Sequence, residues 1–458
     1  MCLETSIKIP LPKIAPIVVA TLAIGADLDA PALSQQTKQV LSGLLQHDIS
    51  VVGYASDGSA VECSLQHLVV KSAPAARRCS IEHPNPSCSP IQLNIPFLDE
   101  RMQKPIAMIQ DPKHLLKTFR NNLFSGTQLL VLGNYIAMYS HAHTIAFEKG
   151  TLYQRDVEKV DRQDDNAATW LFSGHTINWM KKHHPEALGF IVYLFVFGEL
   201  IDACQNRHIT LLERATMALR ALFFLEMWEA FLAAAKYLKS QHFLSPAAVN
   251  IARTLIRGLL QLIIIYRDHV PGNIPLLPWL LTTEVCEHIF GICRQMVKDF
   301  NMLDFEYMVP KLFIQLREAV LTKCCSDRKA RASGYNHTYG DARDINLQNL
   351  SMYPTDAQFR VAAECAHEQT ESLWALLGIA PIHSSASITT LPSIQSWLPD
   401  MYPLSTLQPA GPSDWTEDDD ESVTGGSDTD DDETSQLQEF AEGHCFDTHT
   451  EECISACM

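Results

Sequence analysis

No two cysteines in the 458-residue sequence stand two residues apart, and its 13 cysteines are scattered, as at Cys63, Cys79, Cys204 and Cys286. Without paired thiols and a matching histidine pair, a structural zinc site is not expected. Also missing is a basic amino terminus leading into an apolar core with a small-residue cleavage site, so no secretory leader is read and an intracellular chain is expected. In such a chain most thiols serve as small buried apolar groups. Nor is there an apolar run of the roughly 18 residues a membrane span needs. The stretch LGFIVYLFVFG, Leu188 to Gly198, is followed at once by a glutamate and reads as buried helix, so no membrane partner is expected.

Lysine and arginine are absent from Asp414 to Glu452, where 16 acids fall. Because the whole chain holds 53 acids against 35 bases, removing that stretch leaves 37 against 35. The net charge of -18 therefore belongs to the tail, and the remaining body is nearly neutral. A nearly neutral body neither excludes a nucleic-acid surface nor supplies a general basic field for one.

What is present first reads as alternating strands and helices. APIVVATLAI, Ala15 to Ile24, is β-branched and apolar; Ser34 to His47 has helical spacing at Val40, Leu41, Leu44 and Leu45; VVGYASDGSAV then gives a strand that stops on Asp57. AVECSLQHLVV reads as a helix. After a Pro/Ser/Cys-rich loop, KPIAMIQDPKHLLKTFRNNL gives a second short strand, ending on Asp111.

From about Phe124 to Leu281 long helices dominate, with a capping box at Thr210 and Glu213 and a start signal at Ser245 and Pro246. They are apolar around much of their circumference and should pack as a bundle. Within this block RDVEKVDRQDDNAATWLFS reads as a solvated helix face. The expected units are a core at 1–123, a helical insertion at 124–281, returning core helices at 282–322, a linker at 323–345, a last helix at 346–380, capped by Thr355 and stopped by Gly378, and a disordered acidic tail at 381–458. In that tail Thr416 and Ser427 precede acidic runs that suit acidophilic kinases, although a purely solvating tail accounts for the same composition.

The carboxylates admit two readings. Asp57 followed by glycine is a common turn dipeptide, but an aspartate at the carboxyl end of a strand is also where open α/β sheets place ligands. Glu284 and Glu287, three apart in TTEVCEHIFGICR, share a helix face, which is either a solvated stripe or a ligand pair. Asp111 either sits beside them or caps the helix that follows it.

Taken in order, YASDGSAVE, DPKHLLKTFRNNL and TTEVCEHIFGICR resemble the P-element and THAP-type DNA transposases and the related hAT elements, over roughly Ile14 to Ala319. That resemblance implies an incomplete RNase H-like α/β core interrupted by a large all-α insertion. It also implies a DDE-type site in which Asp57 and Glu287 are catalytic and, with Asp111 and Glu284, bind Mg²⁺ or Mn²⁺. Lys113, Lys117, Arg120 and Arg294 would touch DNA phosphates, although Arg120 and His114 equally suit packing and helix-dipole roles, with transposon ends and a second copy of the chain as partners and the nucleus as location. Carboxylates suit such a site because Mg²⁺ is a hard ion that takes oxygen ligands, and two such ions about 4 Å apart activate the attacking oxygen and stabilise the leaving one. Two departures stand out: the pattern's first aspartate belongs on a strand well upstream of Asp57, and its amino-terminal zinc finger has no counterpart. The expectation is a truncated transposase with little or no strand-transfer activity, or else a non-catalytic scaffold for DNA or protein.

Overall fold

Each apolar run that stops on an aspartate forms a strand in the computed structural model of the protein, which describes residues 2–7, 15–23, 29–321 and 345–379. The chain opens with an antiparallel pair, β1 (Cys2–Ile7) and β2 (Ile17–Ala23), followed by α1 (Ala30–Gln46). Asp29 caps α1 by accepting from the Ala32 amide at 3.0 Å. Next come β3 (Gly53–Ser56), α2 (Ala60–Lys71) and an antiparallel hairpin of β4 (Ala75–Ile81) and β5 (Ile91–Phe97). β6 (Ala107–Gln110) then pairs parallel with β3, Ser56 opposite Gln110, and leads into α3 (Pro112–Phe124).

A small hairpin, β7 (Leu130–Leu132) and β8 (Tyr135–Ala137), precedes the helices α4 (Tyr139–Phe147), α5 (Gln154–Glu158), α6 (Asp165–Leu171), α7 (Gly174–His183) and α8 (Leu188–Gln205). They continue as α9 (Leu211–Ala234), α10 (Lys239–His242) and α11 (Pro246–Asp268). After a single 3₁₀ turn come α12 (Glu284–Met296), α13 (Met302–Leu321), α14 (Leu347–Leu350) and α15 (Asp356–Leu376). The molecule is mostly helical, and among the described residues its strands form four two-stranded sheets.

The capping signals act as their chemistry requires. Thr210 and Glu213 bond reciprocally at the start of α9, Ser245 accepts from the Ala248 amide at the start of α11, and Thr355 with Gln358 closes the first turn of α15. Gly378, at φ +83°, ends the last helix with its carbon against Asn134, where a side chain would not fit.

Three elements differ from the sequence reading. Residues 75–97, expected as loop, hold the β4–β5 hairpin; Arg77 and Arg78 break the apolar run, although Ile91, Leu93 and Ile95 alternate inward along β5. The β7–β8 hairpin inside the helical block turns on Gly133, at φ +60°, and Asn134. The charged stretch 155–173 divides into α5 and α6, because Asp164 caps α6 through the Ala167 amide rather than continuing one helix. The linker and acidic tail, with Thr416 and Ser427, lie outside the described residues, apart from the end of the linker at 345.

The core runs without a break from the β4–β5 hairpin through β6 and α3 to α8, α9, α11 and α15. All four residues of β6 are buried, as expected of a parallel strand covered on both faces. One face meets α11, where Gly258 lets the helix backbone approach so closely that an added Cβ would lie 2.3 Å from the Met108 carbonyl oxygen. The other meets α1 and α2 through Leu33, Leu41, Leu65 and Val69. α8 and α11 are long and apolar enough to cross a membrane, and 78% of each such window is buried inside the fold. A third cluster joins α12 and α13 to Val18 of β2 and to Ala15 just before it.

Candidate functional site at the strand ends

The register that sets Ser56 opposite Gln110 puts Asp57 and Asp111 at neighbouring strand ends. Behind them a buried amide network holds the strands and α2 together. Gln66 donates to the carbonyls of Tyr54 and Ile109, and Gln110 donates to Gln66 at 2.7 Å.

Asp57 is exposed, and its Oδ1 accepts from the Ser59 amide at 2.9 Å. Gly58 follows at φ +88°, so the turn expected of Asp-Gly is formed, and it leaves the carboxylate at the surface. Asp111 behaves differently. It is 3% exposed, and its Oδ1 accepts from the amides of Lys113 (2.7 Å) and His114 (3.2 Å), capping α3. Its Oδ2 accepts from the Thr282 hydroxyl (2.8 Å), the Thr283 amide (2.8 Å) and the Thr283 hydroxyl (2.6 Å). Burial alone raises its pKa, but the Thr283 and Thr282 bonds and the Lys113 charge outweigh that and hold it below the usual carboxylate range. One buried aspartate thus ties the end of β6, the start of α3 and the start of α12 together.

Docked in this way, α12 carries Glu284 and Glu287 to the strand ends. Glu284 pairs with Lys113 at 2.8 Å. Glu287 stays in contact with solvent, yet the protein around it strips enough water, with Asp111 adding repulsion and Lys117 opposing it, to raise its carboxyl to about 7. The Thr283 hydroxyl has one proton, and at 2.6 Å it goes to Asp111. The 3.4 Å contact between Thr283 and Glu287 is then a hydrogen bond only when Glu287 is itself protonated.

The basic residues divide. Lys117 pairs with Asp165 at 2.9 Å. Arg120, expected to reach DNA, is 1% exposed and donates to the carbonyls of Asp161 and, at 2.9 Å, Asp164. Its guanidinium fastens the α5–α6 loop to α3 and presents nothing to a phosphate. Arg294 is exposed in the last turn of α12. Phe290, on the same helix, is half-buried and stacks on Phe300.

Four participants went unnoticed in the sequence. Thr282 and Thr283 announce themselves only as hydroxyls before a helix start, and Asp165 only as one acid among many. Glu62 sits one helical turn beyond Asp57; desolvation and the Asp57 charge, opposed by a hydrogen bond from the Tyr54 hydroxyl, raise its carboxyl to about 7. The burial that raises Glu62 also lowers His114, which feels the charges of Asp57, Lys117, Asp111 and Asp165.

These donors are of the hard-oxygen type a divalent cation takes. Among the described residues no three histidine, cysteine, aspartate or glutamate side chains converge on one point. Asp111 has filled its lone pairs and Glu284 faces an ammonium, which leaves Asp57 and Glu287.

No protein-family model and no curated protein sequence matches the chain. Among solved structures it has a distant likeness to a Drosophila P element transposase strand transfer complex, at 14% identity, covering 68% of each chain with a TM-score of 0.43.

Proposed function

We propose that the chain is a transposase-derived protein that engages DNA through a P-element-like, RNase H-like core, and that it neither cleaves nor joins DNA. In this reading the helices of 124–281 are the insertion, β3 and β6 are the paired core strands, and the ancestral site lay between Asp57 and α12. The observation that carries it is the Asp111 latch: β6, α3 and α12 meet at one buried carboxylate, so the two acids of the TTEVCE motif reach the strand ends across 171 residues of chain. That meeting of three segments supports the reading, since it joins two of the three motifs at one point.

The silent chemistry follows from the donor set. Cleavage of a phosphodiester by this class of site needs charge concentrated on two cations, and the carboxylates left to hold them are too few. No catalytic step is therefore assigned to Asp57 or Glu287. A protein-interaction scaffold is the second reading, favoured by the outer face of α13, where Leu303 (58% exposed), Tyr307 (79%) and Ile314 (59%) recur at helical spacing.

Two measurements test the proposal together: fluorescence anisotropy with labelled duplex DNA over a salt series, and nicking of supercoiled plasmid with Mg²⁺ or Mn²⁺. Binding that weakens as salt rises, with nicking no greater than in a protein-free control, is expected. Nicking that disappears in Glu287→Gln would restore the catalytic reading. Absence of binding at low salt would remove DNA as the partner and leave the scaffold.

A further inference from the structure

The strand ends gather Asp57, Asp111, Asp165, Glu284 and Glu287, and the ammonium groups set among them are those of Lys113 and Lys117. The two lysines are four residues apart and so share one face of α3. Lys113 Nζ lies 2.8 Å from Glu284 Oε1, and Lys117 Nζ lies 2.9 Å from Asp165 Oδ1. The Lys113 and Glu284 side chains are 27% and 28% exposed, and in the second pair Lys117 is 13% and Asp165 37% exposed.

Lys113 is held in place by three features. Pro112 fixes the first turn of α3, the Lys113 amide is bound to Asp111, and that same carboxylate anchors Thr283, the residue before Glu284. The helix start that delivers the ammonium and the helix start that delivers the carboxylate thus share one anchor. A flexible lysine at an open surface would have to lose its rotamer freedom to make such a pair; here the backbones at both ends are already fixed.

We propose that the Lys113 ammonium supplies, from within the chain, the positive charge that a divalent cation would bring to these carboxylates, so that the folded site is compensated without metal. It rests on the reading of the strand ends as an ancestral cation site, and it explains why the donor set there does not converge. Glu284 turns to the lysine, Asp111 turns to the threonines, and neither is left for an ion. Removing the ammonium should hand the role back to a cation: Glu284 would lose its partner, Glu287 would gain a second uncompensated neighbour, and a hard dication would find oxygen ligands on one helix face beside Asp57.

The test uses the full chain and Mn²⁺ or Mg²⁺ alone as probe, reading thermal unfolding in chelator and in millimolar metal, with free Mn²⁺ followed in parallel by electron paramagnetic resonance. Lys113→Met keeps the apolar stem that packs beside α12 and removes only the charge. The wild type is expected to melt at the same temperature with and without metal. Lys113→Met should melt lower in chelator, regain several degrees with Mn²⁺ and take up the ion, and the added change Glu284→Gln should abolish both responses. A wild type that is stabilised by Mn²⁺, and loses that response in Glu287→Gln, would overturn the inference while leaving the cation-site reading intact. A Lys113→Met protein that neither shifts nor takes up Mn²⁺ would overturn the inference and that reading together. Mn²⁺ uptake is measured at a temperature where circular dichroism shows Lys113→Met folded, so loss of stability does not obscure the answer.

Discussion

The helical block and the strand ends handle buried polarity in opposite ways. In the block three large buried polar side chains donate to carbonyls: Trp228 to Val131 at 2.7 Å, Tyr193 to Phe119 at 2.8 Å, and the fully buried Arg214 to Ala203 at 2.8 Å and to Asn206 at the end of α8. At the strand ends acids crowd one another, and two of them, Glu62 and Glu287, are pushed up to about 7. A fold under selection for stability alone has no use for desolvated carboxylates that repel each other. Desolvated acids of this kind are a feature of working surfaces, which is the role proposed above for the strand ends.

The comparison breaks most readily in the block. Trp228 is fully buried, meets Phe224 and Phe243 edge to face, and spends its indole proton on β7. Trp228→Ala should cost about 4 kcal/mol, through the cavity and the orphaned Val131 carbonyl. Because one core runs from β6 to α15, unfolding in urea should remain a single transition with a lower midpoint. Two separated transitions, with the strand ends surviving the first, would show that the block is an independent unit.

Asp111→Asn sharpens the contrast on the other side. An amide can replace one carboxylate oxygen but turns its own N–H groups toward donors from Thr283 or α3, and the expected cost is about 3 kcal/mol. The loss should be local. Hydrogen exchange should rise at the first turn of α12 and at the start of α3 while α8, α9 and α11 keep their protection. Uniform loss of protection across both regions would mean that Asp111 is part of the general core and not a latch.

How far all this could be read from sequence follows from where each residue's partners lie. Caps and strand exits are local, so Thr210, Ser245, Thr355, Asp57 and the strand ending on Asp111 stand out in the bare chain. The capping alternative for Asp111 was legible for the same reason. Its other half was not, because Thr283 is 172 residues away and a threonine before a helix carries no mark of what its hydroxyl will meet. Arg120 stayed open between DNA contact and packing for a related reason: only the fold shows that the loop between α5 and α6 offers it carbonyls. The β4–β5 hairpin was hidden by Arg77 and Arg78: Arg78 faces solvent, but Arg77 lies on the core side of the strand with Cys79 and Ile81 and finds its partner, Asp268, 191 residues away.

The smallest effect concerns Glu62, which the sequence leaves unremarked. Its folded-state carboxyl is raised from 4.5 to about 7, so the folded protein holds a proton there that the unfolded chain has released. Stability from this group is complete below the unfolded value and is lost as pH rises through about 7, since folding must then either keep a proton from solution or accept a desolvated charge beside Asp57. Glu62→Gln imitates the protonated form. Discounted for its remaining contact with water, the substitution should stabilise the protein by about 1 kcal/mol at a pH near 8 and leave it unchanged near pH 4. Urea midpoints of both proteins at the two pH values decide the matter. An equal difference at both would show that the glutamine acts through packing against Tyr54, and that charge repulsion at the strand ends costs the fold nothing.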